Sequence, residues 1–184
     1  IATHDVANSI DNITGQRKCK WLVLEWDGRE NSGIFIGNPV GWLLKNVNSS
    51  LALFKDNGVR SFSRILIALR PGRRNQKFID IADKICFHYG ASLTLLNIIS
   101  ENQQESVSIK KTSEELLSLT KSKSELKIIK SNDPVETISE ESASYDLLIL
   151  GTPEKDNWIR VLFSASEDKF VKMAACSVLR LTIK

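Results

Sequence analysis

The chain has 184 residues, of which 42% are hydrophobic and 26% are charged. This composition is typical of a globular protein and is enough to build a substantial core. The formal net charge is only +3, and no dense basic stripe accompanies it, so nucleic-acid binding is not indicated. No apolar run approaches the roughly 20 residues that a membrane-spanning helix needs, which excludes a span of that kind within this sequence.

The first third of the sequence predicts two short strands, each preceded by a helix. Apolar runs of strand length alternate with amphipathic segments and end in a polar turn. The predicted elements are a helix to about 13, a strand at 21–24, a helix at 39–47, a strand at 51–54 and a connecting turn at 55–58.

The rest of the sequence predicts five strands that alternate with four helices. The strands are expected at 64–69, 92–98, 126–129, 145–150 and 177–183. The helices are expected at 78–89, at 114–121 (after a polar loop at 101–113), from 133 onward, and at 167–174. Gly90 is a helix stop, and Asp133, Pro134 and Glu136 form a helix start with a cap. This alternation predicts an α/β fold with a doubly wound, five-stranded parallel sheet and helices on both faces.

The sequence repeats itself at an offset of about 126 to 128 residues. Residues 19–24 are echoed by residues 145–150, and residues 47–53 are echoed by residues 174–180. Internal repetition of this kind constrains the fold before any single motif does.

The repeat predicts two domains of unequal completeness. Residues 1–58 correspond to the C-terminal half of a first repeat, and residues 59–184 to a complete second repeat. Three strands of the first repeat have no counterpart, so its sheet is expected to expose a long edge. We expect either that a removed or separate segment supplies the missing strands, or that the truncated half packs against the complete repeat.

Several segments resemble the universal stress protein family in a tandem-repeat form. The matching segments are 64–69, 90–96, 146–151 and 175–179, which resemble the family's first, second, fourth and fifth strands. Three further segments, 4–7, 53–58 and 133–136, look like tandem stress-protein domains fused behind prokaryotic amino-acid permeases and cation–chloride cotransporters.

The resemblance implies how the two repeats meet. Family members pair through antiparallel contact of their fifth strands, which here implies an interface formed by Leu51, Leu53, Val178, Leu179 and Leu181. It also implies a cytoplasmic location as part of a larger membrane protein, contact with the membrane part of that transporter, and a homodimer.

Nucleotide-binding members of the family carry Gly-x2-Gly-x9-Gly-Ser/Thr after strand four and an Asp at the end of strand one. In the second repeat Gly151 is kept, but Glu154 and Ser164 occupy the next two glycine positions, and Arg70 occupies the Asp position. Glu154 and Glu167 would place carboxylates beside a triphosphate, which opposes binding. The resemblance therefore implies no cofactor, with ATP as the alternative.

The truncated repeat keeps more of the glycine pattern. Gly28, Gly37 and Asn38 remain, although Glu25 replaces the first glycine. A residual phosphate loop is one interpretation, because glycines let the backbone approach phosphates and a helix N-terminus supplies free amides. A glycine-rich turn with a good helix cap is the other.

Residues 70–77 form the densest basic cluster, where an anion, an acidic partner or lipid headgroups could dock; a solvated turn is the alternative.

Trp42 and Trp158 are candidates for a protein contact or for packing between repeats. His4 and His88 lack a nearby ligand pair, so no metal site is predicted.

No catalytic arrangement is evident in the sequence, so an enzyme is not predicted. Asp80 and Asp83 flank an apolar helical stripe and are expected to face water. Cys19, Cys86 and Cys176 are expected to be buried free thiols.

Two hypotheses of different classes follow. The first is a non-catalytic cytoplasmic regulatory or dimerisation domain of a membrane transporter. The second is a nucleotide-binding stress protein that senses ATP or another adenine ligand.

Overall fold

The computed structural model describes residues 6–26, 43, 46–69, 74–102, 107–151 and 171–184. The strands are β1 (Trp21–Glu25), β2 (Ser50–Lys55), β3 (Arg64–Ala68), β4 (Ser92–Ile99), β5 (Ser124–Lys130), β6 (Leu147–Gly151) and β7 (Ser177–Thr182). The helices are α1 (Val6–Gln16), α2 (Asn75–Tyr89), α3 (Val107–Leu117) and α4 (Pro134–Ser142). Within these residues, no helix is both long enough and apolar enough to cross a membrane.

The described strands form one sheet in the order β1-β2-β7-β6-β3-β4-β5. All neighbours run parallel except β2 and β7, which are antiparallel. The predicted α/β class and the mostly parallel sheet are confirmed, but the sheet has seven strands and not five. The reason is that β2 pairs directly with β7, which adds the two strands of the first repeat to the five of the second.

Helices cover both faces of the second repeat. On one face, α2 and α3 pack on the apolar side chains of β3, β4 and β6. On the other face, α4 and the helical residues 171–173 pack on a second set that includes Leu66 and Leu148. The central strands are therefore buried on both sides, which explains their nearly continuous apolar sequences.

Both predicted helix signals act as expected. The Asp133 carboxylate accepts hydrogen bonds from the backbone N–H of Val135 and Glu136, each at 3.0 Å, and caps α4. Gly90 follows α2 with a φ of 67°, a left-handed conformation that glycine adopts without strain.

The boundaries of α3 differ from the prediction. The polar stretch expected to be a loop forms the helix Val107–Leu117, which ends before the predicted 121. Only a narrow stripe of this helix is buried, including Ser113, which accepts a 2.8 Å hydrogen bond from the buried Asn97 side chain. A helix that buries so little apolar surface has a weak periodic signal.

Two predictions about polar and thiol side chains were wrong. Asp83 does not face water but is buried at 9% exposure. Its carboxylate accepts hydrogen bonds from the backbone N–H groups of Lys121 and Ser122 and from the Ser122 hydroxyl. Cys86 and Cys176 are buried free thiols, but Cys19, which precedes β1, is only half-buried.

Candidate functional site

The sheet has a switch point between β3 and β6. From β3 the chain continues through α2 to β4 on one side, whereas from β6 it continues to β7 on the other side. In open α/β sheets, ligands bind in the crevice at the carboxyl ends of such strands. Leu69 and Gly151 mark this crevice in the described part of the chain.

Gly151 ends β6 and packs closely against its neighbours. A Cβ atom at this position would lie 2.9 Å from Cε2 of Phe78 and 3.0 Å from Cδ2 of Leu69. Its φ is not in the left-handed region, so the close contact with these side chains, and not a backbone requirement, favours glycine here. Phe78 comes from α2 and is buried at 3% exposure.

The other proposed nucleotide-loop residues lie outside the described residues. These are Gly28, Gly37 and Asn38 of the first repeat, and Arg70, Glu154, Ser164 and Glu167 of the second. His4, Trp42 and Trp158 also lie outside them. Of the basic cluster at 70–77, Arg74 and Lys77 are described. Lys77 is exposed, and Nη1 of Arg74 donates a 2.7 Å hydrogen bond to the carbonyl oxygen of Ile183.

The junction between the repeats is the antiparallel pairing of β2 with β7. Along it, Leu51 lies opposite Thr182, Leu53 opposite Arg180, Phe54 opposite Leu179 and Lys55 opposite Val178. The predicted interface residues Leu51, Leu53, Val178 and Leu181 are almost fully buried, and Leu179 is half-buried.

Hydrogen bonds link the connecting turn at 55–58 to the start of β7. The Asn57 side-chain amide donates to the carbonyl oxygens of Ala174 and Cys176, at 3.1 and 2.8 Å. The Asn57 backbone N–H donates to the Ser177 hydroxyl at 2.9 Å, and that hydroxyl donates to Asp56 at 3.2 Å. This network joins positions about 120 residues apart in sequence.

Two lysines make reciprocal contacts across the junction. Lys55, at the end of β2, donates from Nζ to the carbonyl oxygen of Val171 at 2.8 Å. Lys184, just after β7, donates from Nζ to the carbonyl oxygen of Val47. Both acceptors belong to the segment that precedes the partner strand, although the repeat aligns Lys55 with Thr182 and not with Lys184.

Sequence reasoning missed these contacts, since the connector was assigned only a linking role. A signal was present, because a lysine directly follows the apolar run of each fifth strand, at Phe54-Lys55 and Ile183-Lys184. Burial lowers the pKa of Lys184, and the charge of Asp11 opposes that effect.

The described residues offer little reactive chemistry. Burial raises the pKa of Cys86 to about 12 and that of Cys176 to about 11, so both thiols stay protonated and unreactive at neutral pH. No cluster of metal-ligating side chains occurs in the part of the chain that the structure describes. A shallow, open groove between α3 and β5 includes Lys110, Glu114 and Glu125, but it lies away from the switch point.

No family model matches the sequence, and no curated protein matches it significantly. Solved structures do match. A universal stress protein from Archaeoglobus fulgidus DSM 4304 is similar over 96% of this chain and 64% of its own, with a TM-score of 0.70 and 15% identity. The present chain thus spans less than two thirds of that protein's length.

Two other neighbours match a smaller part of the chain. One is a universal stress protein from Archaeoglobus fulgidus in complex with dAMP, with a TM-score of 0.50, 10% identity, and coverage of 67% of this chain and 100% of its own. The other is a universal stress protein in complex with cAMP, with a TM-score of 0.53, 12% identity, and coverage of 68% and 100%. These similarities show that the fold is of the universal stress protein type.

Proposed function

We propose that this chain is a non-catalytic regulatory and dimerisation domain on the cytoplasmic side of a membrane transporter, of the amino-acid permease or cation–chloride cotransporter type. The observation that carries the proposal is the junction between the repeats. A continuous sheet with a lysine contact in each direction forms a stiff unit, suited to transmit movement between proteins. The resemblance of 4–7, 53–58 and 133–136 to transporter-fused domains supplies the context.

The immediate surroundings of Gly151 favour this function over phosphate binding. The space beside its Cα is filled by Phe78 and Leu69, so the glycine serves packing. The sequence also places carboxylates at Glu154 and Glu167, where a triphosphate would need amides and positive charge.

Membrane fractionation tests the transporter assignment. An antibody raised against residues 1–184 should detect, in the source cells, a polypeptide much larger than 20.6 kDa. That polypeptide should remain in the membrane fraction in high salt and be released by detergent. Recovery of the polypeptide only in the soluble fraction would contradict the proposal.

Dimerisation is a separate part of the same proposal. Sedimentation equilibrium of the purified chain should give a mass of about twice 20.6 kDa at micromolar concentrations. A monomer at all accessible concentrations would remove the dimerisation role but leave the membrane assignment open to the fractionation test.

Nucleotide sensing is the second candidate, and a specific observation favours it. Two neighbours of this fold were solved in complex with dAMP and cAMP. Titration calorimetry of the purified, folded chain with Mg·ATP, dAMP and cAMP distinguishes the two functions. Micromolar binding would establish a sensor, whereas no heat up to millimolar nucleotide would support a protein-contact role.

A further inference from the structure

The outer edge of β1 has no partner strand among the described residues. Trp26 N–H donates to the Phe54 carbonyl at 2.8 Å, and the Lys20 carbonyl accepts from Ser50 N–H at 3.0 Å, so even-numbered residues of β1 bond to β2. Alternate residues of a strand direct their backbone groups to opposite sides. The odd-numbered residues therefore point away from β2, and no strand of the described ranges pairs with that edge.

The same residues leave apolar side chains uncovered. Val23 is 64% exposed and Trp21 is 37% exposed. Their counterparts in the second repeat, Ile149 and Leu147, are 0% and 2% exposed. The counterparts are buried because β3 pairs with β6 and α2 covers that face.

We propose that the open edge of β1 docks a strand followed by an amphipathic helix, supplied by polypeptide outside residues 1–184. The internal repeat carries this inference: β1 and β2 correspond to β6 and β7, and β6 has β3 on its far edge. The incoming strand runs parallel to β1, and its helix covers Trp21 and Val23 as α2 covers β6.

One position specifies the chemistry of the incoming strand. In the second repeat, the Asp146 carboxylate accepts from the backbone N–H groups of Ser63 and Arg64, at 2.7 and 2.8 Å, and fixes the start of β3. The repeat places Lys20 at the position of Asp146. An ammonium group cannot accept those hydrogen bonds but can pair with a carboxylate, so the proposed docking strand carries an acidic residue next to Lys20.

A synthetic peptide tests the edge directly. The probe has the sequence of residues 59–89, which contains β3 and α2, with Arg64→Glu as the acidic residue. Residue-resolved hydrogen exchange by NMR is measured on the 184-residue protein with and without the peptide. We expect the odd-numbered amides of β1 to exchange rapidly in the protein alone, and at least about tenfold more slowly when the peptide is bound.

Matched variants separate edge pairing from other binding. Val23→Pro removes one edge N–H without removing a bond to β2, so it should abolish protection while the even-numbered β1 amides stay protected. Val23→Thr keeps the N–H and should retain binding. A peptide that also carries Leu66→Pro should not protect the edge.

Four outcomes would overturn the proposal. Protection of the odd-numbered amides in the monomeric protein alone would mean that its own residues cover the edge. Protection that grows with protein concentration would assign the edge to a second copy. Equal peptide binding by Val23→Pro would place the peptide elsewhere, and no protection at millimolar peptide would show that the edge accepts no such segment. None of these outcomes depends on whether the chain belongs to a transporter.

Discussion

The Nζ atom of Lys55 lies 2.8 Å from the carbonyl oxygen of Val171, although 116 residues separate them in sequence. Val171 belongs to the helical residues 171–173 that lead into β7. Carbonyl groups at a helix C-terminus lack helical partners and carry partial negative charge, which a lysine ammonium satisfies. Lys184 makes a contact in the opposite direction, from Nζ to the carbonyl oxygen of Val47.

Replacing Lys55 by Met should weaken the junction. Lys55→Met keeps much of the aliphatic stem but leaves the Val171 carbonyl without its donor, so we expect a loss of about 1–2 kcal/mol in the free energy of unfolding. Urea unfolding followed by circular dichroism measures it. Lys84→Met, at an exposed position on α2, is the control and should change stability by less than about 0.5 kcal/mol. Equal effects of the two variants would show that the contact adds nothing.

Asp83 should make the free energy of unfolding depend on pH in the acid range. Burial alone would raise the pKa of its carboxyl, but hydrogen bonds from Ser122 and Lys121 outweigh burial and lower the pKa below its ordinary value of 3.8. Because the folded-state pKa is the lower one, the stabilisation is complete above pH 3.8 and is lost as the pH falls through the folded-state value.

The matched variants are Asp83→Asn and Asp80→Asn on the same helix. Asp83→Asn turns an amide donor toward backbone N–H groups, so we expect it to lose about 2–3 kcal/mol at pH 7. The difference from wild type should shrink below pH 3.8. Asp80 is exposed, and its substitution should have little effect. A loss for Asp83→Asn that stays constant from pH 7 to pH 3 would contradict the ionic role.

The sequence predicted the secondary-structure elements better than the tertiary contacts between side chains. Apolar runs identified all seven strands. The central strands are apolar throughout because they are buried on both faces, whereas the edge strands β1 and β5 are only partly buried. The helix α3 was partly missed because it buries only a narrow stripe. Asp83 was wrongly predicted to face water. Its partners, Lys121 and Ser122, come from a loop about 38 residues away, and no local sequence pattern indicates such a contact.

The candidate nucleotide site shows the same limit. Gly151 was identified from a glycine pattern, but its contact with Phe78 depends on how α2 packs over the sheet. The pairing of β2 with β7 came from the family resemblance and not from periodicity, because strand order is a tertiary property.

Gly151→Ala should destabilise the protein through a steric clash. The added methyl group would lie 2.9 Å from the Phe78 ring, and overpacking of this kind costs about 1–3 kcal/mol. The smaller conformational freedom of the unfolded alanine chain offsets only about 0.4–1 kcal/mol, so destabilisation should win. Thermal and urea unfolding measure the net change.

Phe78→Leu provides the partner for a double-mutant cycle. It shortens the side chain that the new methyl group meets, so Gly151→Ala should cost less in the Phe78→Leu background than in the wild type. Additive effects would show that the glycine is kept for another reason, and nucleotide binding at this position would regain support.

Two serines on α4 should respond oppositely to alanine. The Ser142 hydroxyl is fully buried, donates to the Ser139 carbonyl at 2.6 Å and accepts from Ala175 N–H at 2.9 Å. The Ser139 hydroxyl is also buried, but it has no hydrogen-bond partner within the part of the chain that the structure describes. Ser142→Ala should therefore lose about 1–2 kcal/mol, because it leaves the Ala175 N–H unsatisfied.

Ser139→Ala removes an unsatisfied hydroxyl and improves helix propensity, so it should leave stability unchanged or raise it by up to about 1 kcal/mol. The measurement is urea unfolding of both variants at the same pH, with the slope of the transition compared to exclude a change in the unfolded state. A loss for Ser139→Ala as large as that for Ser142→Ala would mean that the Ser139 hydroxyl has a partner, such as a bound water, that helps to hold α4 against the sheet.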